Sequence, residues 1–417
     1  VSRTKVIALV PAYNEAETIE KTIESLMNQT YPFEYIRIIA NNCTDDTVAI
    51  VRRLQRKYKK AGQDNLQLLV MKKNKGKKSG ALNYGLATVE KNIKFVFGMD
   101  GDTIVDKHMV EAGIRQFRRE PETGGICSAY RTLPLKSDAT KWQRFLWRIQ
   151  NIEFTLANAW RVENYKSARV LPGVSVLFRM NALKDVAAFE TIVSQLTEKA
   201  VEVKGDRAYR QSSIRNIRND ALKTYHQYKL KPGALRRLVR KQGSTEVWTT
   251  NSLVEDYRLT LDLKDIGWQV KSSLEMISWS DVPLKLTGKG GLWDQRQRWY
   301  SGTVDEIRIR RFKKHSRYEI FTIGLLMINL LMTFVLISAY TILAIKGIPI
   351  RWLSFFIVLP ILASLTQLYR LKGGDQLDKW QRFFTATLVV NELYALFREF
   401  VYAYSIWVSF FNPDRGW

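Results

Sequence analysis

The chain has 417 residues, 46% of them hydrophobic and 12% aromatic, with 65 Lys and Arg against 40 Asp and Glu and a formal net charge of +25. These proportions exclude a disordered tail, a collagen and a disulfide-stapled mini-domain, and the length supports one large domain or two ordinary ones. The charge requires an anionic partner (nucleic acid, anionic lipid or a phosphorylated substrate), and two cysteines, Cys43 and Cys127, fit a reducing compartment.

Val1 to Val10 has no basic segment followed by a long apolar core, so no signal peptide is expected there. Short apolar runs at 6–10, 36–40, 66–70 and 95–99 predict buried strands, and 16–28, 45–59 and 80–91 have helical spacing between them. This is the βαβ rhythm of an open parallel sheet, in which ligands bind beyond the carboxyl ends of the strands. Each strand gives way to a polar segment: Pro11-Ala12-Tyr13-Asn14-Glu15, then Asn41-Asn42-Cys43-Thr44-Asp45-Asp46, then a basic glycine-bearing stretch at 72–80, then Asp100-Gly101-Asp102. Such a rim suits a phosphorylated ligand and a divalent cation.

Each piece has a plain reading beside the chemical one. Asp100 and Asp102 can direct two carboxylates at one hard cation held against a diphosphate, or be two solvated acids at a turn. Lys78 can neutralise phosphate or hold the base, or belong to a solvated basic loop. Asn41, Asp45 and Asp46 can cap a helix, with Asp45 or Asp46 expected in that place. Further on, Glu255-Asp256 opens a helical stretch, where the helix dipole alone favours acids. Gln295-Arg296-Gln297-Arg298-Trp299 comes after the glycine-rich 288–291. It reads as an amphipathic helix start, or as an Arg and a Trp that hold a phosphate and stack on a ring.

The stretch 203–241 carries twelve Lys or Arg against Asp206 and Asp220. It reads as a solvated basic helical insertion, within about 187–245, or as a face laid against anionic lipid. Ile320 to Ile345 is 26 residues without a charge, about 39 Å of helix and enough to cross a bilayer. A second uncharged run, 352–369, carries Pro360, and the six-residue link 346–351 makes the pair a helical hairpin. A third apolar region, 383–411, is broken by Glu392, Arg398 and Glu399, and either spans with its polar residues facing protein or lies in the interface. Arg308, Arg310, Arg311, Lys313, Lys314 and Arg317 precede the first run, whereas the link holds only Lys346 and Arg351. The positive-inside rule therefore puts the N-terminal 300 residues in the cytoplasm.

In order, VPAYNEAETI (10–19), ANNCTDDT (40–47), NKGKKSGALNYGL (74–86), MDGDT (99–103), LPGVSVLFR (171–179), Glu255-Asp256 and Gln295-x-x-Arg298-Trp299 resemble glycosyltransferase family 2, in its membrane-bound branch of cellulose, chitin and hyaluronan synthases. The resemblance covers roughly 5–186 and 250–300. It implies an α/β, Rossmann-like GT-A catalytic domain over 1–317, cytoplasmic, followed by a membrane region over 318–417 with two or three transmembrane or interfacial helices of a multi-pass protein. It also implies a nucleotide-diphosphate sugar, commonly UDP-linked, with Mg²⁺ or Mn²⁺ and inversion at the anomeric carbon. By the same resemblance, Ala12, Tyr13 and Glu15 line the nucleoside pocket with Asn41 and Lys78. Asp100 and Asp102 serve the sugar nucleotide, Asp102 as metal ligand. Gly173 lies under the acceptor, and Asp256, with Glu255 beside it, is the general base. Gln295, Arg298 and Trp299 hold the diphosphate and the acceptor end.

Two positions depart from that pattern. Asn41 stands where the family usually has Asp, and Val254 where Thr usually precedes the acidic pair. The acceptor is expected to be a glycan, extended processively, or a lipid or other membrane-proximal hydroxyl given a single sugar. A translocation channel needs more spans than are visible unless the chain forms a homo-oligomer. No helix-turn-helix, zinc-knuckle or RNP pattern appears, so nucleic acid is not an expected partner.

Overall fold

All seven residues of Val6–Ala12 are buried, with no alternation between wet and dry faces. A strand of that kind needs cover on both sides, and the chain supplies it. The structure is a computed structural model; it describes residues 3–163, 167–204, 211–230, 246–310, 314–347, 362, 365–366, 368–369, 377–386 and 388–411. Two compact units divide the chain: Val1–Arg131 with Asn164–Asp281, and Thr132–Glu163 with Val282–Trp417.

In the first unit the elements run β1 (Val6–Ala12), α1 (Ile19–Met27), β2 (Tyr35–Asn41), α2 (Thr47–Lys60), β3 (Leu66–Met71), α3 (Lys77–Ala87), β4 (Phe95–Met99), β5 (Ile104–Val105), α4 (Met109–Arg119) and β6 (Thr123–Thr132). After α5 (Lys141–Glu163), which belongs to the other unit, come β7 (Ser175–Arg179), α6 (Met180–Lys204), α7 (Gln211–Lys229), α8 (Glu255–Asp265) and β8 (Gln269–Ser280). The strands form one sheet in the order β3-β2-β1-β4-β7-β6-β8-β5. β1 pairs parallel with β2 and β4, and β2 with β3, so the predicted parallel sheet is there over the first four strands. Beyond β4 it is not: β7 runs antiparallel to β4 and β6, and β5 antiparallel to β8. The parallel reading of the first four strands holds, and the later strands make the whole sheet a mixed one. The apolar runs reveal burial but not direction.

Period-two alternation sorts the side chains between two cores. Ile7 and Leu9 pack with α3, α6, α7 and α8, whereas Val6, Ala8 and Val10 pack with α1, α2 and α4. The basic stretch also differs from expectation where it is described. Phe189, Ile192, Ile217, Ala221 and Tyr225 are buried in the first of these cores, and Arg218 is 1% exposed. A good part of α6 and α7 is therefore core rather than a solvated insertion; residues 205–210 and 231–245 lie outside the described residues.

The second unit holds α5, α9 (Leu292–Arg310), α10 (Lys314–Ile345), α11 (Lys379–Ala386) and α12 (Leu388–Phe411). Among the described residues one helix is long and apolar enough to cross a membrane, Ser316–Ile345 within α10, at mean hydropathy 2.5. Most of the second apolar run, 352–369, lies outside the described residues. In the third, Glu399 is 3% exposed and accepts a 2.7 Å bond from Asn329 of α10, so this polar residue of α12 faces protein.

Candidate active site

The loops that leave β1 and β2 are stitched together by side chains. Glu15 N–H donates to Thr47 Oγ1 (2.8 Å), Ala16 N–H to Asp45 Oδ2 (3.0 Å) and Thr44 N–H to Asn14 Oδ1 (2.8 Å). Asp45 Oδ1 accepts from Thr47 N–H (3.1 Å) and Oγ1–H (2.6 Å) from one position before the N-cap of α2, which is Asp46 and makes no side-chain capping bond. Asn14, Asn42 and Lys77 take positive φ (57°, 54° and 49°) where the chain turns beyond the strands. Left-handed non-glycine residues cost on the order of 1 kcal/mol each and gather where geometry is over-determined.

The sequence-predicted residues of the first unit fall on this rim. Ala12 is buried and Tyr13 is 60% exposed. Asn41 is buried, and its Oδ1 accepts from Asn74 Nδ2 at 2.8 Å. Asn74 also donates its backbone N–H to Asn42 Oδ1 (3.0 Å) and accepts from Gly76 N–H (2.9 Å). A Cβ on Gly80 would lie 2.4 Å from Asn74 Oδ1, so the basic loop closes as it does only with glycine there. Asn74 was not among the predicted residues; its place as the first residue of the motif at 74–86 was the available signal.

Lys78 is in the first turn of α3 rather than in a free loop. Its Nζ stands 2.5 Å from Asp100 Oδ1 and 3.5 Å from Glu255 Oε1. A Cβ on Gly173 would be 2.4 Å from that Nζ, so the ammonium occupies room that only glycine leaves. Gly173 N–H donates to Asp256 Oδ2 (3.1 Å), and Tyr257 N–H to Asp256 Oδ1 (2.7 Å). Between the two aspartates, Gly101 is needed too: a Cβ would come 3.1 Å from Glu15 Cγ and 3.2 Å from the Pro11 carbonyl oxygen. Lys78, Asp100, Gly173, Glu255 and Asp256, far apart in the chain, are thereby brought together. A small pocket opens beside them over an apolar floor of Leu82, Phe178, Trp248 and Leu259.

Burial and mutual repulsion set the charge states. Burial, then Glu255, push the Asp256 carboxyl up to about 6, against the pull of Lys78 and the two backbone N–H groups. Burial, Asp100 and Glu15 push Asp102 up to about 7. Glu15 is raised by burial, with Asp100, Asp45 and Asp281 adding to it. Burial would lower Lys78, but Asp100 and Glu255 more than offset that and hold it protonated. Carboxylates outnumber cations, and the surplus is centred on Asp102. A hard cation fits such a donor set, because its ligands are all oxygens and its charge relieves the repulsion. Among the described residues no three His, Cys, Asp or Glu side chains cage an ion by themselves.

Gln295, Arg298 and Trp299 lie on α9, in the second unit. Arg298 is exposed, and the buried arginine of the motif is its neighbour Arg296, at 0% exposure. Arg296 Nη1 donates to Gln295 Oε1 (2.5 Å) and Nη2 to Glu153 Oε2 (2.6 Å), and its guanidinium lies 4.4 Å from the Trp299 ring centroid. Tyr394 O–H donates to the same Glu153 oxygen (2.6 Å). Arg296, Glu153 and Tyr394 were missed in sequence because nothing in their spacing joins three separate helices.

Residues 7–186 match the family model described as Glycosyl transferase family 2. Over these residues the chain is similar to that family. Among curated relatives, the poly-beta-1,6-N-acetyl-D-glucosamine synthase of Staphylococcus epidermidis is 23% identical over 307 residues, 73% of this chain and 55% of that protein. The synthase of the same description from Staphylococcus aureus strain COL is 24% identical over 322 residues, 76% of this chain and 59% of that protein. The chain thus spans a little over half the length of these relatives. A mannosyltransferase from Pyrobaculum calidifontis, solved in complex with GDP-Man and Mn²⁺, shares the fold at a TM-score of 0.53 and 16% identity, over 97% of this chain and 88% of that one. The chain therefore has the GT-A-like α/β fold that its motifs imply.

Proposed function

We propose that the chain is an inverting, metal-dependent glycosyltransferase that moves a hexose or hexosamine from a nucleotide-diphosphate sugar, commonly UDP-linked, to a hydroxyl of a glycan acceptor at a membrane. The observation that carries this reading is the grouping of Asp256, Gly173, Lys78 and Asp100 beside one cavity. The names of the staphylococcal relatives support a hexosamine polymer.

A sugar hydroxyl is a poor nucleophile, so the carboxylate of Asp256 takes its proton as the oxygen attacks C1. The bond from C1 to the diphosphate breaks as the new one forms, on the opposite face, and the anomeric configuration inverts without a covalent intermediate. Gly173 N–H and Tyr257 N–H hold the Asp256 oxygens in place for that transfer. Lys78 faces the negative charge of the diphosphate. Asp102, with Asp100 beside it, would hold a Mg²⁺ or Mn²⁺ ion together with diphosphate oxygens, and such an ion supplies charge neutralisation for the leaving group. Gln295, Arg298 and Trp299 keep the diphosphate and acceptor roles that the resemblance implies.

Helix α10 serves as a membrane span with the N-terminal 300 residues on its cytoplasmic side. The basic cluster before α10 supports this orientation. Incubating the protein with a panel of UDP- and GDP-sugars, with Mg²⁺, Mn²⁺ or chelator, tests the reading. Metal-dependent consumption of one donor is expected, with mass analysis of the product giving a ladder for polymer synthesis or one added sugar for single transfer. No turnover of any donor would contradict it.

A further inference from the structure

The helix that carries Asp256 is gripped by four charges further along its length. Arg218 of α7 donates from Nη1 to Glu190 Oε1 of α6 over 2.9 Å, and from Nη2 to Asp262 Oδ1 of α8. Arg258, one turn before Asp262 on α8, lies 3.6 Å from Glu190 Oε2 and 4.0 Å from Asp262 Oδ2. Two guanidiniums and two carboxylates close a ring of zero net charge between three helices. The Arg218 and Asp262 side chains are each 2% exposed, and the Arg218 guanidinium lies 5.0 Å from the centroid of Phe189. From this ring to the acidic pair the path is short. Thr260 Oγ1 donates to the Asp256 carbonyl oxygen (2.7 Å) and accepts from Leu171 N–H (2.9 Å), two residues before Gly173.

Such a ring is weak as a source of stability, because apolar side chains of the same volume often serve as well. Its contribution is direction: the planar fork of an arginine fixes the rotation of its carboxylate partners. Glu190 and Arg218 also lie beyond residue 186, where the family match ends, so this support is outside the matched domain.

We propose that Arg218 is a positioning residue for the transfer: through Asp262 it fixes the rotation of α8 and hence the direction in which the Asp256 carboxylate meets the acceptor hydroxyl. The proposal rests on Asp256 as the base and is tested so that the two can fail separately. In the full-length protein, Arg218→Met/Asp262→Leu removes both charges together and leaves Arg258 facing Glu190, so no buried charge is stranded. The expected result is a folded protein with wild-type donor KM and a kcat lowered on the order of tenfold or more. Arg218→Lys, which keeps the charge without the fork, is expected at an intermediate kcat with KM unchanged. Wild-type kcat in the folded double variant overturns the proposal, as does a rise in donor KM with kcat intact. Should the double variant not fold, Arg218→Lys decides alone: kcat lowered at unchanged KM and melting temperature supports the proposal, and wild-type kcat overturns it. Asp256→Asn in the same assay separates the two ideas. If it retains kcat, the base assignment fails; if it is inactive while the Arg218 variants are wild-type, only the role of Arg218 fails.

Discussion

The backbone N–H of Gly173 donates to Asp256 Oδ2 over 3.1 Å, joining residues 83 apart in the chain. The same glycine leaves the room in which Lys78 Nζ stands, since a Cβ there would be 2.4 Å away. Gly173→Ala is therefore expected to displace the ammonium from Asp100 and to loosen the base together with it. Donor KM should rise and kcat fall, each by about tenfold, in a steady-state assay. Unchanged values of both would show that the close approach is not needed.

Proton uptake by Asp256 sets the acid limb of the rate. Its carboxyl is pushed up to about 6, chiefly by burial and Glu255, and the transfer needs the ionised form. The rate should fall as pH drops through about 6. Lys78 lowers this value, so Lys78→Met should move the limb to higher pH while weakening donor binding. A pH–kcat profile of the two proteins checks the sign, and a limb that moved down would contradict it.

Asp102 costs stability at the pH where it works. Its carboxyl titrates near 7 in the folded chain against an ordinary value of 3.8, so the folded state holds its proton more tightly than the unfolded one. The associated stability is present at low pH and is lost as pH rises through about 7. Without metal, Asp102→Asn should therefore stabilise the protein at pH 8 by about 1–2 kcal/mol once solvent screening is allowed for. Near pH 4 the gain should vanish. Thermal melts at the two pH values in chelator measure the difference.

Adding Mn²⁺ with a nucleoside diphosphate reverses that order. At a hundred times its Kd a ligand stabilises by about 2.7 kcal/mol, so the wild-type melting temperature should rise and that of Asp102→Asn should not. Removing the metal with chelator should abolish transfer. An equal rise in both proteins would remove Asp102 from the cation site.

Much of this was legible in the chain. The apolar runs that became β1, β2 and β4 are buried on both faces, and a run of that kind admits few other structures; β3, at the sheet edge, is only half-buried. The rim residues after them were legible for the same reason, since polar groups at the ends of buried strands must face the opening. The antiparallel strands were not legible, because β7 and β4 differ in direction and not in composition. Nor was Arg218: twelve basic residues in a stretch read as solvated, yet one of them meets Glu190 and Asp262 in the core. In the Gln-x-x-Arg-Trp motif the exposed Arg298 was singled out while Arg296 is the buried partner of Glu153. Pairings across helices distant in sequence leave no periodic trace.

Single-turnover transfer by wild-type protein and by Asp256→Asn, each first shown to be folded and to bind the donor, is the most direct measurement of the chemistry assigned to this site. The predicted result is a loss in the transfer rate of about 10²–10⁴-fold with donor affinity kept. Transfer by Asp256→Asn at the wild-type rate would contradict it.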